Sequence, residues 1–247
     1  MSGERRTGWR RIGADVVDIY RRGGGAMKAA PWLAAIAIVP EAAQHVVEIK
    51  LGMFDSLAAF RTLGKEAIRW DFGYAKVAGV VLAMLAMARF QVSGSARRAL
   101  LPPVATALRV LVLVALTAAV SVACSWLGAR TGIVGAVGFG VLSFVLQSGA
   151  VLLLVAELVE DRTLAWRAAF TTHLPSALVL TLYLAVAAAP AQLLHMANHR
   201  LALGQGAPVV WGLMAFDSVC VGLLASLAGA ALFVGSRVRL TWRGWQA

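Results

Sequence analysis

The sequence predicts an all-α, polytopic integral membrane protein: a helical bundle of about six transmembrane helices, with an N-terminal interfacial amphipathic helix. Three observations indicate this class. Hydrophobic residues make up 60% of the 247 residues and charged residues only 14%, whereas charged residues are about 25% of a typical soluble domain. The mean hydropathy is +0.77. Several apolar runs reach the roughly 20 residues that a spanning helix needs.

The charge and the cysteines exclude several other classes. The net charge of +11 does not indicate a nucleic-acid partner, because the basic residues lie beside and between the apolar runs and form no groove-sized cluster. Cys124 and Cys220 both lie inside apolar runs, where a thiol behaves as a small hydrophobe. We therefore expect no nucleic-acid partner and no cofactor.

The N-terminal segment, residues 1–26, is expected to be cytoplasmic and amphipathic. Over residues 8–22 the apolar side chains fall on one side of a helix and the charged side chains on the other. This separation is typical of a helix that lies in the headgroup region with its arginines against anionic lipid. We expect the glycines at 23–25 to end the helix. A solvated, charged tail is the alternative.

The six-helix domain is expected at residues 27–240, and its first span at 29–51. Pro40 lies inside this span, where it removes a backbone donor and predicts a kink. A second interpretation makes Pro40 the first residue of a new helix, with Glu41 in its first turn. In that case the apolar run before Pro40 is too short to span.

The rest of the chain predicts a connector, five further spans and a short tail. Residues 55–71 predict an amphipathic connector, and the linker between the third and fourth spans is so short that these two must be antiparallel neighbours. Stripes of small residues on both spans would let their backbones approach closely. A short cytoplasmic tail, 241–247, ends the chain. The predicted spans after the first are 72–90, 106–127, 132–157, 176–196 and 208–236.

The basic residues predict the orientation. With six spans and both termini in the cytoplasm, sixteen lysines and arginines lie on the cytoplasmic side and six on the outer side. The positive-inside rule favours this topology.

The layout of residues 157–171 resembles that of a known protein family. An acidic residue closes one span, the charged turn Glu160-Asp161-Arg162 follows, and an amphipathic segment of alanine, tryptophan and arginine leads into the next span. This layout resembles bacterial six-helix membrane proteins that are similar to the membrane domain of glycerophosphodiester phosphodiesterases. The resemblance implies six helices and cytoplasmic connectors, and it carries no functional residue over to this chain. We expect a multi-pass protein of the bacterial cytoplasmic (inner) membrane.

Polar side chains on four spans mark the candidate site. Glu41, Gln44, His45 and Glu48 fall within about 100° of arc on one helix, so they form a single stripe. The predicted topology brings polar groups of three other spans to a similar depth in the outer half. A charge inside the membrane costs at least about 2.5–3.5 kcal/mol on insertion scales, so each should face the bundle and a partner. The candidate residues are Glu41, His45, Glu48, Lys76, His195 and Asp217.

Three interpretations of this convergence stay open. The side chains form ion pairs that fix helix register, such as Asp217 with Lys76 or Glu41 with His195. Alternatively, His45, Glu48 and the histidines of the fifth span meet the outer headgroups. In the third interpretation the side chains form a functional site.

For a functional site, we expect a lipid-binding, partner-binding or assembly protein, not an enzyme, with a polar cavity in the outer half. Membrane lipids are its expected partners, together with a second copy of the chain or a partner membrane protein. One alternative is a proton-coupled small-solute transporter that uses Glu41 and Asp217 as carriers. The other is a metal-dependent intramembrane hydrolase in which Glu41, His45 and Glu48, together with His195 and His199, bind a divalent metal that activates water. The metal stays unknown, because E-x-x-x-H-x-x-E suits one helix face but no H-E-x-x-H is present.

Overall fold

The computed structural model describes residues 8–238, which contain ten α-helices and no strand. The predicted cytoplasmic tail at 241–247 lies outside the described residues. The helices, in chain order, are α1 Gly8–Ala29, α2 Pro31–Lys50, α3 Leu57–Leu63, α4 Ala67–Ser93, α5 Ala96–Leu100, α6 Val104–Arg130, α7 Gly132–Leu158, α8 Trp166–Phe170, α9 Leu174–Ala202 and α10 Ala207–Ser236.

Six of these helices are long and apolar enough to cross a membrane: α2, α4, α6, α7, α9 and α10. The predicted all-α fold with six spans is confirmed. Five of the six spans are longer than predicted, most of all α4, which begins at Ala67, and α9, which continues to Ala202. Hydropathy detects only the apolar part of a span, whereas a helix continues for as long as its backbone groups bond within it.

Contacts divide the described chain into two compact units. Unit 1 comprises residues 8–99 and 186–230, and unit 2 comprises 100–185 and 231–238. In unit 2, α6 and α7 are joined by a single turn residue and pack closely, because a Cβ on Gly128 would lie only 3.2 Å from the Cα of Ala136. All polar residues discussed below as a site belong to unit 1.

Pro40 lies inside one continuous helix, so the interpretation in which it begins a new helix is wrong. Proline has no N–H, and the carbonyl of Ile36 therefore loses its usual donor one turn later. Gly79 of α4 packs directly against this break. A Cβ on Gly79 would lie 2.6 Å from the oxygen of Ile36 and 3.0 Å from Cγ of Pro40. The missing side chain at 79 thus lets α4 cover the interrupted turn of α2.

We expect Gly79→Ala to lower the free energy of unfolding by about 1–3 kcal/mol, the usual cost of overpacking a tight contact. The measurement is unfolding of the purified protein in detergent micelles by added SDS, followed by tryptophan fluorescence. Gly212→Ala is the matched control, because a Cβ there meets no atom within 4 Å. Equal stabilities of the two variants would contradict the close approach of α4 to α2.

The first helix does not end at the three glycines, and that prediction is wrong: α1 continues to Ala29. Gly23 is needed for packing instead, since a Cβ there would lie 2.8 Å from the Cα of Leu227 on α10. Tertiary contact therefore outweighs the roughly 1 kcal/mol by which each glycine disfavours a helix. The hydroxyl of Tyr20 also donates a hydrogen bond of 2.7 Å to the carbonyl of Val186. Pro190 leaves that carbonyl without its helical donor.

Candidate functional site

The polar stripe of α2 is turned into the interior of unit 1. Glu41, Gln44, His45 and Glu48 are each between 0 and 2% exposed, whereas Lys50 on the opposite side of the helix is exposed. Residues three or four positions apart lie on one face of a helix. Because that face is buried, all four polar side chains are buried with it.

His45 stands at the centre of the contacts. Its Nδ1 lies 2.9 Å from Oε2 of Glu48. Its Nε2 lies 3.0 Å from Oδ2 of Asp217 and 3.1 Å from Oε1 of Glu41. One imidazole thus faces three carboxylates and links α2 to α10. An ionised carboxylate only accepts hydrogen bonds, so the ring is the donor at whichever nitrogen carries a proton.

Asp217 on α10 contacts three side chains on one face of α9. Its Oδ2 lies 2.6 Å from Nδ1 of His195, and its Oδ1 accepts a hydrogen bond of 2.9 Å from the amide of Asn198. Nε2 of His199 lies 3.7 Å from the same Oδ2. Positions 195, 198 and 199 share a face of α9, so this face is built around the one carboxylate.

Two cations of α4 complete the arrangement. Nζ of Lys76 lies 2.9 Å from Oε1 of Glu41, and Nε of Arg69 donates a hydrogen bond of 2.9 Å to Oε1 of Glu48. The same oxygen of Glu48 also accepts from the amide of Gln44 at 3.2 Å. The side chains of Lys76 and Arg69 are 22% and 20% exposed, so the cations form the edge of the site and the carboxylates its buried centre.

The structure brings all six predicted site residues together. The partners differ from the suggested pairs, because Lys76 meets Glu41 and His195 meets Asp217. Burial of His45 and Glu48 also contradicts the interpretation that places them among outer headgroups. With two further members, the ionic cluster consists of Glu41, His45, Glu48, Arg69, Lys76, His195, His199 and Asp217.

Two residues of the site lie outside the predicted spans. Arg69 belongs to the segment 55–71, which the sequence predicts as a connector, and Asn198 lies beyond the predicted end of the fifth span at 196. In the longer helix that the structure shows, the spacing of His195, Asn198 and His199 indicates one polar face. Gln192, three positions before His195, is exposed.

Some polar atoms of the ionic cluster have no hydrogen-bond partner among the described residues. The three carboxylates surround the ring of His45, and Lys76 and Arg69 contact two of them from the edge. Within residues 8–238, no hydrogen-bond partner is found for Oε2 of Glu41 or for either ring nitrogen of His199. Buried polar atoms are nearly always satisfied, so these atoms can accept a proton, an ion or a water.

Ligand atoms for a metal ion also lie close together. Glu41, His195, His199 and Asp217 each offer one atom, and the four atoms lie within 4.8 Å of one another. His45, Glu48 and His199 form a second group of the same compactness.

The centre of the cluster is buried, since Glu41, His45, Glu48 and Asp217 are at most 2% exposed. A separate cavity of about 560 Å³ lies in unit 2, between α6, α7 and the first turns of α9, and its lining is mainly small and apolar side chains.

Six apolar spans and a buried ionic cluster define a multi-pass α-helical membrane protein. Comparisons of the chain with models of protein families, with curated proteins and with solved structures give no match. The resemblance to six-helix proteins similar to the phosphodiesterase membrane domain stays a prediction.

Proposed function

We propose that this protein is a cation transporter of a bacterial cytoplasmic membrane, and that the cation binds at the ionic cluster on its way across. The observation that carries the proposal is the burial of three carboxylates in one place. Glu41, Glu48 and Asp217 are at most 1% exposed; all three contact the ring of His45, and Lys76 and Arg69 lie at the edge. Ionisable groups inside spans commonly mark ion pathways, because their burial is too costly without a use or a partner.

The burial favours a small ion over a lipid or a partner protein. A lipid headgroup or another helix needs a polar surface that it can reach, and the carboxylates offer none. A single ion can enter between side chains and bind to the carboxylate oxygens. The proposal therefore departs from the lipid-binding and partner-binding expectation and stays close to the transport alternative.

Two of the four helices that supply the cluster contain an internal proline. Pro40 directly precedes Glu41 in α2, and Pro190 lies five residues before His195 in α9. Each proline removes one backbone hydrogen bond from a continuous helix and lets the helix bend there. Bending at these two points would support alternating access to the cluster.

The orientation follows from the basic residues. With both termini in the cytoplasm, the Lys and Arg distribution obeys the positive-inside rule. The cluster then lies in the outer half of the membrane, since α2 runs outward and Glu41 to Glu48 occupy its second half. Membrane lipids surround the spans in this arrangement.

The test uses the purified full-length chain in liposomes. Inward gradients of Na⁺, Mg²⁺, Mn²⁺ and Zn²⁺ are imposed one at a time, external ions are removed, and the internal cation is measured by mass spectrometry. We expect uptake of at least one of the four cations above that of liposomes without protein. Asp217→Asn should lower the initial rate at least about tenfold, which corresponds to roughly 1.4 kcal/mol of lost interaction.

Two further variants make the result decisive. Asp71→Asn is the matched control, because Asp71 is an exposed carboxylate outside the cluster, and it should transport like the wild type. If Asp217→Asn does not fold, the uptake rate of Glu41→Gln is measured in its place. Uptake by the wild type no faster than by empty liposomes, or equal rates in the cluster variants and the control, would overturn the proposal.

A further inference from the structure

Four side chains from three helices form a compact set of metal ligands. They are Glu41 of α2, His195 and His199 of α9, and Asp217 of α10, with one ligand atom of each within 4.8 Å of the others. Four ligands bound tetrahedrally at 2.0–2.2 Å to one ion lie about 3.3–3.6 Å from one another. Side-chain movements of about 1 Å would therefore bring the four atoms to coordination distance.

Two of these side chains are buried with unpartnered atoms, which is an independent observation. Glu41 is 0% exposed, and its Oε1 is held by Lys76 while its Oε2 has no hydrogen-bond partner among the described residues. The His199 side chain is 11% exposed, and neither ring nitrogen makes a hydrogen bond within residues 8–238. Its Nε2 lies 3.7 Å from Asp217, too far for a hydrogen bond. One bound ion would coordinate one atom of each residue.

Neighbouring side chains hold the ligands in place. Asn198 donates to Oδ1 of Asp217 and leaves Oδ2 directed toward the histidines. Lys76 holds Oε1 of Glu41 and leaves Oε2 free. Contacts of this kind fix the orientation of ligands in metal sites. The unpartnered atoms are thus presented by side chains that are themselves fixed.

The ligand types indicate the kind of metal. Two imidazoles with two carboxylates suit a borderline transition-metal ion such as Zn²⁺, whereas Mg²⁺ and Ca²⁺ take oxygen ligands almost exclusively. We propose that Glu41, His195, His199 and Asp217 bind one divalent transition-metal ion. This inference rests on the proposed function and specifies the class of cation that the transporter carries.

The experiment measures binding directly, without transport. The full chain is purified in detergent through a tag that contains no histidine, treated with a chelator, and titrated with Zn²⁺ by calorimetry and by equilibrium dialysis with metal analysis. We expect one Zn²⁺ per chain and no competition by excess Mg²⁺. His199→Gln and Glu41→Gln should each raise the dissociation constant at least about tenfold, and Asn198→Ala by roughly 10–100-fold.

The choice of variants keeps the inference falsifiable. His199 makes no hydrogen bond among the described residues, so His199→Gln should fold like the wild type. His173→Gln is the matched control, since His173 belongs to unit 2, and it should bind Zn²⁺ unchanged.

The outcomes separate this inference from the proposed function. If the wild type binds no Zn²⁺, or if the His199 and Glu41 variants bind it as tightly as the wild type, the metal site is refuted. Uptake of Na⁺ or Mg²⁺ into liposomes would still support transport in that case. Tight Zn²⁺ binding that depends on His199, combined with no uptake of any cation, would support the site and refute transport.

Discussion

Replacing Asp217 by alanine is expected to lower the free energy of unfolding by about 3–5 kcal/mol, the usual cost of removing one partner from a buried ionic network. Asp217 is fully buried, and its Oδ2 lies 2.6 Å from His195 and 3.0 Å from His45. Asn198 loses its acceptor as well. The substitution thus leaves polar groups of α2 and α9 buried without the carboxylate that joins them. SDS-induced unfolding in detergent micelles, followed by tryptophan fluorescence, measures the loss.

Two further variants serve as comparison and control for this prediction. Asp217→Asn keeps the shape and one acceptor oxygen, so its loss of stability should be smaller than that of the alanine variant. Asp71→Ala removes an exposed carboxylate and should change the free energy of unfolding by no more than about 0.5 kcal/mol. A loss for Asp217→Ala as small as that for Asp71→Ala would show that the network does not stabilise the fold.

The fold could be predicted because a membrane leaves few solutions. Backbone groups in lipid must bond internally, so an apolar run of sufficient length becomes a helix. The ends of the helices were predicted less well. The polar first turns of α4 and the last turns of α9, up to Ala202, look like loops to a hydropathy argument, yet their backbones remain helical.

The end of α1 shows where local preference fails. Three consecutive glycines disfavour a helix, and the sequence alone gives no reason for the helix to continue to Ala29. That reason lies about 200 residues away, in the contact of Gly23 with Leu227 of α10. Such a contact cannot be inferred from the segment itself.

The sequence predicts which residues form the site, but it does not predict which of them pair with one another. Glu41 and Asp217 stand out because a charge within an apolar run requires a partner. Which partner each obtains depends on the rotation and relative height of the helices. The pairing of Lys76 with Glu41, and not with Asp217, follows from the packing of Gly79 against the turn at Pro40, and the sequence specifies neither helix rotation nor height.

Replacing Lys76 by methionine should also lower the free energy of unfolding, by up to about 3–5 kcal/mol, because the buried Glu41 loses its lysine counter-ion and keeps only the ring of His45. Nζ of Lys76 lies 2.9 Å from Oε1 of Glu41, whose side chain is 0% exposed. Methionine keeps the length of the side chain and removes only its charge. Lys50→Met is the matched control, because Lys50 is exposed on the opposite side of α2, and it should leave the SDS-induced unfolding unchanged.

The double variant Lys76→Met/Glu41→Gln separates stability from function. Neutralising Glu41 removes the unpaired charge, so the double variant should regain part of the stability lost in Lys76→Met, with a coupling energy of about 0.5–3 kcal/mol. Strictly additive losses would show that the two charges do not interact. If the cluster only fixed helix register, cation uptake would recover together with stability. If Glu41 binds the cation, the double variant should be well folded and still inactive in liposomes, because the carboxylate that the cation needs is absent.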